Sequence, residues 1–511
     1  MGVFLSAAAY AWLSHALAWV LLPWSVARAV GARALALWMT AAAALFFLRD
    51  PMATILVVGC LMALLAPLKL TARAAFFLIA APTLPIYVSA PIPFPGINQL
   101  TILTNYKIAV LAVLLPLFFY SGSKAKPAQS YSVAGVCLLL YVGLTAIIVT
   151  GVSNATNGLR FLVDQLLVLA IPFFAIRFAV KTLDDVDRCL VAFLIASIFL
   201  AAVTLVASVK QWDFYSLLQP VSILFLPDMR SGFVRINATV NTHSLGYHLA
   251  AGLIVLQYLR TRMGLGWLRL NAVRFVLLTG IYFTDSRGSM VALLIAAVVY
   301  SIFSIVNTKR LIGLIALAGL GGVGGATWLA TTVFPDEGSL GSFTYRQELL
   351  KTAIPYILDH PLFGDYNFYN NRAFEHLVQG QGIIDITNLY LQVALHYGLL
   401  GFSLFFLVVL TPLFSLAWRG LRRTQNRRDC GWNNEDNKAC SPEWRHAAGV
   451  LAGALSGWLF LVATTSDAGL TVHIGLVFAA LAQGLCDLSN RRTTIPLYEL
   501  RARTSPLLQR S

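Results

Sequence analysis

The sequence predicts an all-α, polytopic integral membrane protein, and three observations support that fold class. Hydrophobic residues make up 58% of the chain and charged residues only 12%, whereas soluble globular domains average about 45–50% and about 25%. The mean hydropathy is +0.74. Apolar runs recur along nearly the whole chain, many of them near the roughly 17–25 residues that span a bilayer. Lipid forces such runs into helices because their backbone polar groups find no water there.

We predict 12–15 crossings within a single membrane domain that covers residues 1–511. Residues 34–68 form either two spans or one span with a re-entrant segment. The N-terminal run lacks the positive region of a signal peptide, so we expect it to be a retained span. The candidate spans are 3–24, 34–48, 52–68, 74–90, 108–120, 132–150, 161–177, 189–208, 243–259, 273–285, 288–306, 311–334, 389–418, 446–464 and 469–487.

The net charge of +15 is explained by topology. If alternate loops are assigned to one side, that side holds 27 of the 37 Lys and Arg residues, which is the bias typical of cytoplasmic loops. No nucleic-acid-binding motif accompanies the charge, so nucleic acid is not an expected partner. The 6 cysteines are too few for a disulfide scaffold, and Cys430 and Cys440 fit no zinc template. We predict neither a metal nor another cofactor.

Four segments are expected to lie outside the membrane. The loop 419–445 and the tail 488–511 fall on the cation-rich side, and the two long loops 209–242 and 335–388 fall on the cation-poor side. Long loops in compact proteins are usually functional. We therefore expect the chemistry at the cation-poor face.

Arg287 lies in the sequence TDSRGSM, between two apolar runs. Either Asp285 or Ser286 is positioned to cap the second helix. A guanidinium at a helix N-terminus makes a site for an anion, because both the charge and the helix dipole have the right sign. The alternative is an arginine that pairs with Asp285 or extends to the membrane surface.

Arg346 lies at the start of a second pattern. Thr344 and Gln347 have the spacing of a capping box, so we predict that Arg346 lies in the first turn of an amphipathic helix along the membrane. A plain surface arginine is the alternative. The predicted apolar stripe of this helix consists of Leu349, Leu350, Ala353, Ile354 and Ile357.

Other polar residues on the cation-poor side are candidates for substrate binding. Arg235 precedes a span at whose start Asn241 and His243 either bind a sugar hydroxyl or cap the helix. Arg160 and Asp164 are four residues apart and are expected to pair. The further candidate cation on this side is Arg372.

The end of the second long loop supplies candidates for a base. Asp385 and Asn388 stand directly before an apolar run, and His376 precedes them. Asn388 is a further candidate for substrate binding. A carboxylate or an imidazole accepts a proton when its environment is suitable, so Asp385 and His376 are both candidates. Asp385 as a helix cap is the competing explanation.

Four motifs in order resemble one family. They are Asn-x₃-Asn-x₃-Leu-Gly at residues 237–246, Ser-Arg-Gly at 286–288, Arg-x₃-Leu at 346–350 followed by HPLFG at 360–364, and Asn-x-Tyr-Leu at 388–391 ending in GLLG at 398–401. Together they resemble the bacterial O-antigen ligase and polymerase superfamily over roughly residues 230–405.

The resemblance implies a GT-C-like membrane glycosyltransferase of the bacterial inner membrane whose active site faces the periplasm. Its partners would be an undecaprenyl-diphosphate-linked glycan donor and acceptor, membrane lipid and a chain-length regulator. Arg287 and Arg346 match the two family arginines that hold the diphosphate, and Arg235 is a third candidate.

One departure from the family decides between two activities. Ligases carry a histidine directly before the asparagine of the last motif, and this chain has Thr387 before Asn388. The departure favours a polymerase of O-antigen or exopolysaccharide repeat units. The alternatives are a ligase that joins glycan to the lipid A core of lipopolysaccharide, and a transporter or flippase of lipid-linked sugars, which should show internal hydropathy repeats.

Overall fold

The structure is a computed structural model. Besides the isolated positions 12, 16 and 17, it describes residues 24–48, 50–84, 88–94, 99–121, 132–210, 229–230, 233–234, 236, 241–304, 337–378, 383–426, 442–465 and 470–491. The expected span 311–334 lies outside the described residues, as do nearly all of the span 3–24 and the tail from residue 492.

Helices dominate the described chain. We number them α1 (Trp24–Leu48), α2 (Pro51–Leu65), α3 (Leu70–Thr83), α4 (Asn105–Ala109, Val110–Leu114 and Leu115–Ser121), α5 (Val133–Val152), α6 (Ala155–Gln165, Leu166–Ala170 and Ile171–Ala179), α7 (Leu183–Lys210), α8 (Thr242–Arg262), α9 (Trp267–Thr284), α10 (Arg287–Ser304), α11 (Glu337–Asp359), α12 (Leu389–Asn426), α13 (Pro442–Val462) and α14 (Thr471–Arg491). The middle segments of α4 and α6 are π-helical turns.

Strands are short and peripheral in the described residues. The strand β1 (Ser89–Pro91) pairs antiparallel with β2 (Ile102–Thr104), with Ala90 opposite Leu103. The strand β3 (Met229–Arg230) pairs antiparallel with β4 (Phe233–Val234). Each pair is a small hairpin in a connection between helices.

The predicted all-α polytopic membrane fold is confirmed. Within the described residues, 8 helices are long and apolar enough to cross a membrane, and α2, α3 and α4 are shorter apolar helices. Residues 34–68 fall mainly in the separate helices α1 and α2. Helix α2 is one of the shorter apolar helices, and whether it spans or is re-entrant stays a prediction. The long helices are Gly31–Leu48, Val133–Val152, Ala155–Ala179, Leu183–Val209, Arg287–Ser304, Leu389–Gly420, Pro442–Val462 and Thr471–Ser489.

Helix α7 lies at the centre of the bundle. It is 89% buried along its apolar length and packs against α3, α8 and α9, while α13 packs along α10 and α5 along α12. One continuous cluster of buried apolar side chains joins α1 to α14. Lipid offers no hydrophobic drive between helices, so close packing of this kind holds such a bundle together.

The starts of α8, α10, α12 and α14 meet the ends of α9 and α13 at one end of the bundle, which we call the site end. Three contacts define it. His243 Nδ1 lies 3.0 Å from Ser286 Oγ, Ser244 Oγ lies 2.6 Å from Thr471 Oγ1, and the Leu389 nitrogen donates to the Thr465 carbonyl at 3.1 Å.

The opposite end carries ion pairs that link different helices. Arg177 at the end of α6 pairs with Asp487 near the end of α14 at 2.7 Å. Arg262, the last residue of α8, lies 3.3 Å from Asp187 on α7 and 3.2 Å from Glu443 on α13. The predicted cation-rich loops are attached to this end.

The predicted start of α11 is wrong. The helix begins at Glu337, so Thr344 is an interior residue and Arg346 lies in the third turn instead of the first. A capping box forms only where the preceding chain leaves the helix, and here residues 337–343 continue it.

The predicted stripe of α11 is partly correct. Leu349, Ala353 and Ile357 are buried against the start of α12. Leu350 and Ile354 are 40% and 49% exposed. The helix thus has a second apolar face, which is consistent with the prediction that it lies along a membrane surface.

Candidate functional site

The corner between α9 and α10 places Arg287. Helix α9 ends at Thr284, and the next residue, Asp285, has a left-handed φ of +45°. The Ser286 carbonyl then accepts the first helical hydrogen bonds of α10, from the nitrogens of Ser289 at 3.1 Å and Met290 at 3.2 Å. Of the two predicted capping residues, Ser286 therefore occupies the start of the helix. Arg287 follows it, at the positive end of the helix dipole.

His243 binds this corner. Its Nδ1 lies 3.0 Å from Ser286 Oγ, Ser286 Oγ lies 2.7 Å from Ser289 Oγ, and Ser289 Oγ donates to the His243 carbonyl at 3.2 Å. Asn241 Oδ1 accepts from the Ser244 nitrogen at 2.6 Å, so Asn241 caps α8. His243 is thereby a residue that positions the Arg287 corner.

Thr464, at the end of α13, touches the segments of both predicted arginines. The Arg346 guanidinium donates through Nη2 to the Thr464 carbonyl at 3.3 Å. A Cβ atom at Gly288 would lie only 2.7 Å from Thr464 Oγ1. The glycine of the Ser-Arg-Gly motif is needed for this approach, and Thr464 brings Arg287 and Arg346 to the same part of the site end.

Asp385 lies near Arg346. Burial raises the pKa of the Asp385 carboxyl above its ordinary value, and the positive charge of Arg346 opposes that rise. The Asp385 carbonyl accepts a hydrogen bond from Tyr345 Oη at 3.0 Å. Since Tyr345 is the residue before Arg346, this bond ties Asp385 to α11 beside the arginine.

Asp385 does not cap α12, and the competing explanation for it is wrong. Asn388 is the cap: its Oδ1 accepts from the nitrogens of Tyr390 at 2.8 Å and Leu391 at 3.3 Å. The Asp385 carboxyl makes no hydrogen bond to another described residue. The Asp385 carboxyl can therefore accept a proton, whereas the Asn388 side chain is engaged in capping α12.

The end of α13 was missed by reasoning from the sequence. Thr464 binds Arg346, and the neighbouring Thr465 carbonyl accepts from the Leu389 nitrogen at the start of α12. The polar run TTSD that interrupts the last two apolar runs is the signal that predicts a polar contact there. Thr387, which departs from the ligase pattern, has its Oγ1 buried without a hydrogen-bond partner among the described residues.

The structure does not bring the remaining candidates into this cluster. His376 is exposed and its Nε2 lies 3.3 Å from Thr352 Oγ1, about two helical turns beyond Arg346. Arg372 is exposed at the start of a short 3₁₀ helix, Arg372–Leu377. Arg235 lies outside the described residues.

The predicted pairing of Arg160 with Asp164 is wrong. Arg160 donates to the Gln99 carbonyl at 2.5 Å and to Asn157 Oδ1 at 3.0 Å. Asp164 instead pairs with Lys107 at 2.8 Å. Lys107 is buried, and a buried ammonium is costly without a carboxylate partner. Arg160 already donates to a carbonyl, so Asp164 pairs with Lys107 instead.

The arrangement is suited to binding an anion with two negative phosphate groups. Guanidinium groups bind phosphate oxygens through paired, charge-assisted hydrogen bonds, and the N-terminus of α10 adds its dipole. Asp385 supplies a carboxylate nearby. Among the described residues, no group of three or more His, Cys, Asp or Glu is placed to hold a metal ion.

Fold and site together define a multi-pass helical membrane protein with a cationic site at one end of its bundle. Residues 272–406 match the family model described as O-Antigen ligase, and this match confirms the resemblance to the O-antigen ligase and polymerase superfamily. No curated protein matches the chain. The matched segment contains Arg287, Arg346, Asp385 and Asn388, and it begins after Asn241, so it is shorter than the predicted region.

The family match supports an enzyme of O-antigen ligase or polymerase type. The matched segment runs from α9 through α11 to the first half of α12. These are the elements that carry both arginines and the carboxylate of the site.

Proposed function

We propose that the protein polymerises undecaprenyl-diphosphate-linked oligosaccharide repeat units at the periplasmic face of the bacterial inner membrane. The observation that carries the proposal is the meeting of the Arg287 and Arg346 segments at Thr464. Arg287 at a helix N-terminus and Arg346, whose segments both contact Thr464, match the charge of a diphosphate, which is the leaving group of such a donor.

In the proposed reaction a hydroxyl of the acceptor glycan attacks the anomeric carbon of the donor sugar. A new C–O bond forms, the bond from that carbon to the diphosphate breaks, and the hydroxyl proton passes to a base. Negative charge grows on the departing diphosphate. Arg287 and Arg346 stabilise that charge, and such a donor is typically worth ~3–4 kcal/mol in the transition state.

Asp385 is the base that the geometry favours. It lies beside Arg346, and burial raises the pKa of its carboxyl, which strengthens the ionised form as a proton acceptor. His376 was the other candidate. It is exposed and bound to Thr352, outside the arginine cluster.

The charge distribution supports the orientation of the site end towards the periplasm. The helices that end at the opposite end of the bundle carry Arg177, Arg262 and Arg419 there, next to the cation-rich loops. Cations of short loops favour the cytoplasmic side. The site end would then face the periplasm.

A ligase is the second candidate function, because the matching family is described by that name. Thr387 favours the polymerase, since it stands where ligases have a histidine. Deletion of the gene separates the two. Loss of a polymerase leaves single repeat units on the core or the carrier lipid, whereas loss of a ligase leaves full-length glycan on the carrier lipid; gel separation of the two glycan pools measures this.

Alanine variants test the arginine site. We expect Arg287→Ala and Arg346→Ala each to lower the rate of glycan transfer by about 10²–10³-fold, with protein still present in the membrane. Lys351→Ala is the matched control, because Lys351 lies on the same helix as Arg346 in an exposed pair with Glu348 and should have little effect. Normal glycan ladders in both arginine variants would refute the site.

A further inference from the structure

A cavity of about 200 Å³ adjoins the arginine site. It lies between α5, α6, the first half of α12 and the loop after α11. Leu389 lines it, and the Leu389 nitrogen donates to Thr465, the neighbour of the Thr464 that binds Arg346. The cavity and the arginine site thus share the start of α12.

The backbone of α12 is broken where it forms the cavity wall. Gly398 has φ +63° and ψ −171°, and a side chain there would collide with the Leu362 carbonyl. The segment HPLFG docks into this break: the Asp365 nitrogen donates to the Leu395 carbonyl at 2.8 Å, and the Leu399 nitrogen to the Pro361 carbonyl at 2.8 Å.

Docking of this loop delivers an aromatic ring to the cavity. The ring of Tyr366 lies 5.4 Å from that of His396 and 6.2 Å from that of Tyr397. On the opposite wall, Val168 and Leu169 belong to the π-helical turn of α6. Such turns cost helical regularity and are frequent at functional sites, so both walls are built from irregular backbone around the same space.

The lining combines aromatic faces with hydrogen-bonding groups. The rings of Tyr141, Phe161, Tyr366 and Tyr397 line the cavity together with Gln165 and His473. His473 Nδ1 is buried and has no hydrogen-bond partner among the described residues. A polyprenyl chain would match only the apolar part of this lining. A sugar ring matches both parts, since its C–H face stacks on aromatic rings and its hydroxyls bind amides and imidazoles.

We propose that this cavity binds one pyranose ring of the glycan, an inference that rests on the proposed function. Its volume is below the roughly 300–1,000 Å³ of pockets for drug-sized ligands, which suits one ring better than several. The ring belongs either to the donor or to the acceptor. Tyr366 stacks on it, and Gln165 and His473 bind its hydroxyls.

The test measures sugar binding by the purified full-length protein in lipid nanodiscs. The probe is the repeat-unit oligosaccharide released by mild acid from the lipid-linked pool of the deletion strain, and saturation-transfer NMR detects its binding. We expect Tyr366→Ala to weaken binding about tenfold and Tyr366→Phe to retain it. Tyr369→Ala is the matched control: Tyr369 lies on the same loop, is 47% exposed and does not line the cavity.

A second variant keeps the test valid if Tyr366→Ala does not fold. Gln165→Leu keeps the approximate size of the side chain and removes its hydrogen bonds, so we expect weaker binding from it too. Binding equal to wild type in both variants overturns the proposal. Binding of a short polyprenyl phosphate that depends on Tyr366, without any signal from the oligosaccharide, also overturns it and assigns the cavity to lipid.

Two further results separate this proposal from the proposed function. Arg346→Ala should bind the oligosaccharide like wild type while losing glycan transfer. If sugar binding fails but transfer depends on the arginines, only the cavity assignment is wrong; if the deletion strain has normal glycan, the proposed function itself is wrong.

A higher KM for the acceptor in Tyr366→Ala assigns the ring to the acceptor, and a higher KM for the lipid-linked donor assigns it to the donor.

Discussion

Arg177 and Arg262 at the opposite end have a different kind of partner from Arg346 at the site end. At the opposite end, Arg177 pairs with Asp487 and Arg262 with Asp187 and Glu443. At the site end, Arg346 is oriented by a backbone carbonyl. A paired carboxylate offsets the charge of a guanidinium, whereas the Thr464 carbonyl orients the Arg346 guanidinium, near which the Asp385 carboxyl also lies.

This difference distinguishes arginines that link helices from an arginine that is proposed to bind the substrate. A cation that links two helices needs a permanent counter-ion, because an uncompensated buried charge is costly. A cation that receives an anionic substrate needs an orienting partner that does not compete with that substrate. The Ser286 hydroxyl at the corner and the carbonyl of Thr464 are uncharged groups of this kind.

The largest expected effect on stability is at the opposite end. Arg177→Ala leaves the half-buried carboxylate of Asp487 without its ionic partner, and the Arg177 side chain that is lost is only 4% exposed. We expect a loss of ~3–5 kcal/mol in the free energy of unfolding, measured as a fall in the thermal midpoint of the detergent-solubilised protein. Transfer activity per folded molecule should stay near wild type. A folded variant that has lost activity would contradict the division between the two ends.

Replacing Arg346 with lysine probes the site end more finely. Lysine keeps the charge but lacks the planar guanidinium, which can donate hydrogen bonds to the Thr464 carbonyl and to a phosphate at the same time. We expect Arg346→Lys to lose about one charged hydrogen bond, ~1.5–3 kcal/mol, or a drop of about ten- to 150-fold in kcat/KM, without loss of stability. Activity equal to wild type would mean that only charge matters at this position.

Adding a single methyl group at the break in helix α12 is expected to lower the free energy of unfolding. Gly398→Ala places a side chain in the left-handed region and against the Leu362 carbonyl, which should cost ~1–3 kcal/mol. Gly143→Ala on α5 is the matched control, because nothing lies within 4 Å of a Cβ there. Thermal unfolding measures the midpoints of both variants. Equal midpoints would show that a side chain at Gly398 causes no strain.

The smallest effect concerns the pH dependence of Asp385. Burial raises the pKa of this carboxyl, so the folded state binds more protons than the unfolded state between the ordinary and the raised pKa. Stability should therefore fall as pH rises through that window, while activity rises as the base ionises. Asp385→Asn should remove both trends. A wild-type activity profile that is flat across acidic pH would exclude Asp385 as the base.

Local patterns in the sequence predicted several parts of this site and failed at others. Arg287 after a serine at a helix start, and Asn241 as a cap, follow from residues next to one another and are found as expected. The start of α11 was misplaced because Thr344 and Gln347 have a capping pattern, while the preceding residues continue the helix. The pairing of Arg160 with Asp164 failed because a more deeply buried cation, Lys107, comes from another helix.

The sequence by itself determined the membrane environment and the helical class, since these depend on hydropathy along single segments. Only the tertiary structure decided that Thr464 joins the segments of Arg287 and Arg346, that Asn388 and not Asp385 caps α12, and that HPLFG docks at Gly398. Each of these contacts joins segments far apart in the chain, and their partners are selected by packing between helices, which no local pattern encodes.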